Sequence, residues 1–292
     1  MFRRLIHFSL WLSALAIGCL AYGFLIEPGR LVVRQVSVTS PHWTGEPLRI
    51  GIISDIHVGG RHVHAPRVNK VTERLNSLSP DIILLGGDYT NGSARRSERS
   101  SRELADIDAG HDALGRLEAP LGVFAVLGNH DWAWSGSETA RHLTENGITV
   151  LQDDVITLTD PDSGQHLQII GYEDLTSGRH PNYDRVHAQC NPDLPQISLA
   201  HSPDTFPRAK GGPGLMFSGH THGGQVCLPF LGPLVLPLHN RLYDYGWFVE
   251  GTRRLYVTSG MGTSLPPLRF MMPPEVVVLD LMPVENLEMK ED

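Results

Sequence analysis

The ten residues LRIGIISDIH, at positions 48–57, join a buried strand to two polar side chains. Leu48–Ile53 is a short, mostly apolar run of the kind that a parallel sheet buries on both faces. Asp55 and His57 follow two positions apart, so their side chains lie on the same side of an extended segment. This stretch therefore predicts a strand that ends by presenting a carboxylate and an imidazole side by side.

The same pattern of strand, glycine and polar residue recurs twice downstream. Asp81–Leu85 leads into Gly86-Gly87-Asp88, and Leu121–Leu127 leads into Gly128-Asn129-His130-Asp131. Helical spacing predicts two intervening helices, the first marked by Val68, Val71, Leu75 and Leu78 and the second by Leu104, Ile107, His111, Leu114 and Leu117. Alternating strands and helices predict an α/β fold, in which functional side chains gather at the carboxyl ends of the strands.

Beyond Ile148 the chain consists mainly of predicted strands with few helices between them. These strands are Thr149–Leu158, His166–Gly171, Gln196–Ala200, Gly214–Ser218, Leu255–Ser259 and Val276–Leu281. We expect them to form a second, strand-rich half packed on the first. Two of them end at or just before histidines, which are His201, His220 and His222.

The polar residues after these strands are suited to binding metal ions. They are Asp55, His57, Asp88, Asn129, His201, His220 and His222. Carboxylate and imidazole suit the borderline divalent metals of hydrolases, and two ions roughly 3.5–4 Å apart can clamp a phosphoryl oxygen and activate a water. Each motif alone has a plain alternative, since Asp-x-His is usually a surface turn and His-x-His can be two surface histidines. Their order and spacing together predict a dinuclear site, with His130 nearby as a proton donor.

This ordered set resembles the calcineurin-like metallophosphoesterase superfamily over residues 48–282. The resemblance implies an α/β, four-layer αββα sandwich of two mixed β-sheets flanked by helices. It also implies two divalent metal ions per chain, such as Mn, Fe or Zn. One ion would be held by Asp55, His57, Asp88 and His222, and the other by Asp88, Asn129, His201 and His220. Asp88 would bridge them, His130 would protonate the leaving alkoxide or stabilise the transition state, and Asp131 would orient His130.

Later motifs resemble the membrane-associated bacterial phosphodiesterases of the YaeI/YkuE type. They are Gly219–Gln225, Ser259–Gly262, and Pro267 with Arg269. This implies a phosphodiesterase that uses a dinuclear-metal-activated hydroxide on a phosphate ester, and the membrane association allows that ester to be lipid-linked. One alternative is an enzyme like the UDP-diacylglucosamine pyrophosphohydrolase of the lipid A pathway, although in its soluble type an Arg stands where this chain has His130. The other is a non-catalytic metal-binding scaffold of the same fold, which the intact ligand set disfavours.

The N-terminus carries an uncharged, largely apolar run, Leu5–Ile26. As a helix it would extend about 33 Å, enough to cross a bilayer. We expect a retained signal anchor over residues 1–29, with the catalytic domain outside the cytoplasm on the periplasmic side. A cleaved signal peptide and a lipoprotein signal at Cys19 are the alternatives.

The remaining chain divides into a linker with a first strand at 30–47, a catalytic domain at 48–282 and an acidic tail at 283–292. The formal net charge of −8 argues against a nucleic-acid partner, which usually meets a basic face. It is compatible with a phosphate substrate, because bound metal ions supply local positive charge.

Several other residues have open interpretations. Trp132 and Trp134 could wall a substrate cleft or cover the core, and Arg269 could contact a substrate phosphate or form a structural ion pair. The apolar loop Leu228–Leu238 could rest on a membrane, contact a lipid substrate or form a packed lid. Four further histidines are expected to be surface or supporting groups: His62, His64, His180 and His187.

Overall fold

The structure, a computed structural model, describes residues 2–40, 43–92, 94–161, 164–210, 214–237 and 242–284. Its helices, numbered in chain order, are α1 (Phe2–Leu25), α2 (Ala65–Asn76), α3 (Ser101–Leu114), α4 (Asn129–Glu145) and α5 (Tyr183–Gln189). The predicted acidic tail from residue 285 onward lies outside the described residues.

The first sheet contains the βαβα half predicted from the opening strands. Its strands are β1 (Val32–Ser40), β2 (Leu48–Ile53), β3 (Ile82–Leu85), β4 (Val123–Ala125), β5 (Thr149–Val150) and β14 (Glu275–Pro283). They are ordered β1-β14-β2-β3-β4-β5, with β2 to β5 mutually parallel and β14 antiparallel to β2. The last strand of the chain therefore inserts beside β2, at the centre of the first half.

The second sheet is also mixed. Its strands are β6 (Asp154–Thr159), β7 (His166–Gly171), β8 (Gln196–Leu199), β9 (Leu215–Ser218), β12 (Gly246–Glu250) and β13 (Arg253–Val257), in the order β12-β13-β9-β8-β7-β6. The four central strands are parallel, and both edge strands are antiparallel to their neighbours. A short hairpin of β10 (Cys227–Leu228) and β11 (Gly232–Pro233) projects beyond this sheet.

Three apolar clusters show how the layers stack. The cluster between the sheets contains Ile50 and Leu84 from the first sheet and Ile169 and Phe217 from the second. A second cluster packs α2, α3 and α4 on the outer face of the first sheet, and a third places Val186 of α5 on the outer face of the second. The predicted four-layer αββα sandwich is confirmed.

Some local predictions needed correction. The predicted strand Thr149–Leu158 is two strands, because Leu151–Asp153 carries the chain from β5 in the first sheet to β6 in the second. Neither α4 nor β12 was predicted. Helix α4 is interrupted at Ser135, whose backbone is extended, and it lacks a continuous apolar stripe.

Candidate metal centre

Strand ends from both sheets meet at one edge of the sandwich. Asp55 and His57 follow β2, Asp88 follows β3, and Asn129 begins α4 after β4. His201 follows β8 and the pair His220 and His222 follows β9. Because the two sheets pack face to face, all seven predicted ligands come together at this edge, and six of them are buried.

One group of ligand atoms combines both sheets. Atoms of Asp55, His57 and His222 all lie within 4.8 Å of one another. The Nε2 atoms of His57 and His222 are 3.0 Å apart, and His222 Nε2 is 3.6 Å from Asp55 Oδ1. Three buried electron-rich atoms this close together suit a shared cation.

A second group lies beside the first. Atoms of Asp88, His201 and His220 also fall within 4.8 Å of one another. His201 Nε2 is 3.1 Å from His220 Nδ1 and 3.2 Å from Asn129 Oδ1. The carboxylate of Asp88 links the two groups, because its Oδ2 lies 3.3 Å from His201 Nε2 and 3.8 Å from His57 Nε2. Atoms of Asp88, His57 and His130 form a third such group within 4.8 Å.

The backbone is strained at several of the candidate ligand residues themselves. Five ligand residues have a positive φ, a region that non-glycine residues rarely adopt: Asp55 at 53°, His57 at 53°, Asp88 at 56°, His220 at 69° and His222 at 52°. Such strain clusters at functional sites, where the surrounding structure enforces it. Position 128 also requires glycine, because a Cβ on Gly128 would lie 2.2 Å from Asp88 Oδ1 and would collide with that carboxylate.

Three of the four candidate histidine ligands are held in the neutral form that binds metals. Burial lowers the pKa of His57 to about 3 and that of His220 to about 4, and it holds the pKa of His222 well below its usual value. Burial also opposes charge on Asp88, but the nearby His201 outweighs it and holds the pKa of that carboxyl well below its usual range. Asp88 in turn raises the pKa of His201, so binding a cation there requires His201 to release a proton.

Backbone carbonyls fix which ring nitrogen faces the site. His201 Nδ1 donates to Gly86 O at 2.7 Å, and His220 Nε2 donates to Pro237 O at 3.0 Å. These bonds direct His220 Nδ1 toward the site and, once His201 has released its second proton, leave the lone pair of His201 Nε2 for a cation, as metal-binding histidines require.

His130 stands at the edge of the ligand groups. Its ring packs edge-on against His57, with centroids 4.7 Å apart. The backbone N–H of Gly92 donates to His130 Nδ1 at 3.1 Å, so in the neutral ring the proton lies on Nε2. The sequence contains no local signal for this contact.

Asp131 does not orient His130, contrary to the sequence-based assignment. Its carboxylate is buried and accepts from the backbone N–H groups of Asp88 (2.8 Å), Tyr89 (2.9 Å), Thr90 (3.2 Å) and Gly128 (2.9 Å). Because four donors converge on one carboxylate, Asp131 fixes the turn that carries Asp88. The contact to His130 comes from Gly92 instead.

A cavity of about 350 Å³ opens beside the ligands. Its lining includes polar groups, among them Asn129, His130 and His222, and apolar side chains, among them Leu234 and Leu265. The candidate ligands therefore border a space with a mixed polar and apolar lining.

The residues with open interpretations fall mostly outside this cavity. Trp134 is buried in the core, and Trp132 packs under the guanidinium of Arg179 at 3.8 Å. Arg269 is fully buried and donates to backbone carbonyls, and no ion pair is among its contacts in the part of the chain that the structure describes. His62 contacts Pro267 O and His64 contacts Asp106, which agrees with supporting roles.

One contact near Asn129 was not foreseen. Thr176 Oγ1 lies 3.4 Å from Asn129 Oδ1 and also contacts the carboxylate of Asp174 at 2.9 Å. These residues lie 45 or more positions from Asn129 in sequence, and only the packing of the two sheets face to face brings them there.

Comparisons with known proteins agree with this geometry. Residues 48–224 match the family described as calcineurin-like phosphoesterase. The chain is 31% identical to the metallophosphoesterase YkuE of Bacillus subtilis, over 92% of this chain and 94% of that protein. It is 32% identical to phosphodiesterase YaeI of Escherichia coli, covering 81% and 83% of the two chains. It is 30% identical to the UDP-2,3-diacylglucosamine pyrophosphatase LpxG of Chlamydia muridarum, covering 87% and 90%.

Proposed function

The chain belongs to the calcineurin-like phosphoesterase family, an enzyme family that hydrolyses phosphate esters, and from this we propose that it is a dinuclear-metal phosphodiesterase. The observation that carries the proposal is the position of Asp88. One of its carboxylate oxygens lies within 4 Å of a histidine from each ligand group. A carboxylate so placed suits a bridge between two cations.

Each ligand group would hold one of the two cations. Asp55, His57, Asp88 and His222 would hold one divalent ion, and Asp88, Asn129, His201 and His220 would hold the other. Bound ions of this kind supply Lewis acidity to a phosphoryl oxygen and lower the pKa of a water molecule that attacks phosphorus. The chain contributes neutral imidazoles, a charged bridging carboxylate and a turn fixed by Asp131.

His130 supplies the donor for the departing oxygen. As the bond between phosphorus and the leaving oxygen breaks, negative charge develops on that oxygen, and His130 Nε2–H can hydrogen-bond to it. Because Gly92 N–H donates to Nδ1, the neutral ring carries its proton on Nε2, where it can be shared in this hydrogen bond. Complete transfer would require a doubly protonated ring and loss of the Gly92 contact.

We propose a lipid-linked phosphodiester as the substrate class. The apolar lining of the cavity includes Leu234, Val235 and Leu265, which are 50%, 73% and 75% exposed. Exposed apolar residues beside a polar site suit a substrate with a charged head and an apolar tail. The similarity to LpxG, whose name describes a diacylated substrate, supports the same class.

That similarity also defines the alternative of a pyrophosphohydrolase of the lipid A type. The two readings differ in the bond that is cleaved, since a nucleotide-linked diacylglucosamine would yield a nucleoside monophosphate. Incubating the full-length protein separately with phospholipids and with such a nucleotide-linked lipid distinguishes them. If the protein is instead a non-catalytic metal-binding scaffold, it should turn over neither substrate.

The central test uses full-length protein in detergent with Mn²⁺ and bis-p-nitrophenyl phosphate. We expect steady release of p-nitrophenol by the wild type. Asp88→Asn should lose both activity and one or both bound ions, as measured by elemental analysis. Absence of turnover with every divalent ion tried would overturn the enzymatic proposal, and two ions retained in the variant would overturn the bridging role.

We further propose that α1 anchors the protein with the catalytic domain on the periplasmic side. The helix is long and apolar enough to span a membrane by length and composition, a property that signal sequences share. An alkaline phosphatase fusion after Ile26 should therefore be active. An inactive fusion would place the domain in the cytoplasm.

A further inference from the structure

The loop 268–272 lies between the N-terminal helix and the metal site. On its outer side it receives the end of α1, where Arg269 N–H donates to Gly23 O at 3.0 Å. Just beyond the helix, Glu27 is 1% exposed, and its carboxylate accepts from the N–H groups of Met271 at 2.9 Å and Met272 at 2.7 Å. A buried carboxylate is retained only when hydrogen bonds satisfy it, and this one is satisfied by the loop.

The inner side of the same loop reaches the metal ligands. The guanidinium of Arg269 is fully buried, and its Nη2 lies 3.4 Å from His222 Nδ1. It donates to the carbonyls of Ser259, Gly260 and Gly262, which fixes the turn they form.

The turn at residues 259–262 also supports a second candidate ligand, Asp55. Gly262 N–H donates to Asp55 O at 2.6 Å, and Met261 N–H donates to Ser54 O at 3.0 Å. A Cβ on Gly260 would lie 2.6 Å from Asp55 Cβ, so the turn packs directly against the residue whose positive φ presents its carboxylate to the site. Displacement of Arg269 would therefore affect Asp55 and His222 together.

We propose that Glu27 and Arg269 are positioning residues that couple the end of α1 to the metal site, so that residues 22–29 form part of the catalytic domain. The proposal rests on the function proposed above. It also addresses the fate of the N-terminal segment: processing beyond Tyr22 would remove contacts on which the metal site depends, whereas a retained anchor keeps them.

The helix offers a matched pair of substitutions to test this in the full-length protein. A Cβ at Gly23 would lie 3.0 Å from Arg269 O, whereas a Cβ at Gly18 has nothing within 4 Å. We expect Gly23→Val to weaken the apparent Mn²⁺ affinity at least tenfold and Gly18→Val to leave it unchanged. Titration calorimetry in detergent measures this without relying on turnover.

A second pair of variants replaces the carboxylate of Glu27. Glu27→Ala should weaken Mn²⁺ binding and lower kcat, while Glu27→Gln, which keeps one acceptor oxygen, should recover part of both. Glu73→Ala, on the exposed face of α2, is the control and should match the wild type.

The outcomes separate the two proposals. If the wild type binds Mn²⁺ and folded Gly23→Val and Glu27→Ala bind it equally well, the coupling is wrong and the phosphoesterase proposal stands. If the wild type binds no divalent ion, both fail. Should Glu27→Ala fail to fold, Gly23→Val and Glu27→Gln decide the question by the same titration.

Discussion

Five of the seven candidate ligands have a left-handed backbone conformation, and this conformation is costly. A non-glycine residue in this region costs about 1–3 kcal/mol. The structure offsets the cost locally, since the Asp131 carboxylate binds the backbone of Asp88, and His220 N–H donates to the Asp55 carboxylate at 3.0 Å. Strain, burial and charge thus coincide at the same residues, as expected where geometry is set by function rather than by stability.

The contact between Gly92 and His130 leads to a prediction about the hydrogen-bond donor. His130→Gln keeps an N–H donor and should retain more activity than His130→Ala, which we expect to lower kcat about 100-fold or more. Both variants should bind two ions per chain. Steady-state kinetics with elemental analysis checks this, and loss of metal in His130→Ala would make the residue a ligand instead.

Metal binding should depend on pH through Asp55. Burial raises the pKa of this carboxyl to about 6. A protonated carboxyl cannot bind a cation, so below pH 6 protonation of Asp55 should weaken the apparent Mn²⁺ affinity about tenfold per unit, in addition to the weakening caused by the proton that His201 must release. Titrations between pH 5 and 8 measure the dependence. An affinity that does not change between pH 7 and pH 5 would contradict it.

Among the elements, the β10–β11 hairpin bears on substrate choice. Its tip carries Phe230 and Leu231, which are 107% and 74% exposed, and Leu234 and Val235 line the cavity just beyond it. A hairpin with an apolar tip beside an active site suits contact with the acyl region of a membrane.

Replacing the tip residues should therefore separate two activities. Phe230→Ser with Leu231→Ser should lower cleavage of a vesicle-borne phosphodiester about tenfold, while hydrolysis of soluble bis-p-nitrophenyl phosphate stays unchanged. Val249→Ser, at an equally apolar and exposed position of β12, is the control. Equal loss on both substrates would point to a damaged fold, and no loss on either would remove the hairpin from substrate binding.

For the whole molecule, the metal site joins the two sheets. Its candidate ligands come from strand ends of both sheets, so cations bound there would connect two halves that otherwise meet mainly through apolar contacts. A cation that binds only the folded state stabilises it by mass action. The gain is about 4 kcal/mol when the free cation concentration is a thousand times the dissociation constant.

Removing the metal should therefore destabilise the entire domain. We expect EDTA to lower the melting temperature of the full-length protein by about 5–10 °C, and added Mn²⁺ to restore it. Differential scanning calorimetry measures the shift. Asp88→Asn, which should lose one or both ions, should shift less with EDTA than the wild type does, and a shift of wild-type size in that variant would contradict the link.

The amino-acid sequence alone specifies the strands that lead into the candidate ligands. A short apolar run followed by a small residue and a polar one specifies a buried strand and a sharp turn through local chemistry, which is why Leu48–Ile53 agrees with β2. The two-sheet architecture followed from the order of these motifs and from the family resemblance.

The contacts between segments far apart in the chain are set by tertiary packing. The insertion of β14 beside β2, the division of Thr149–Leu158 between two sheets, the Gly92 contact to His130 and the path from Glu27 through Arg269 to His222 all join residues far apart in the chain. Local periodicity carries no information about these partners, because they are selected by the packing of whole layers and by the need to satisfy buried polar groups.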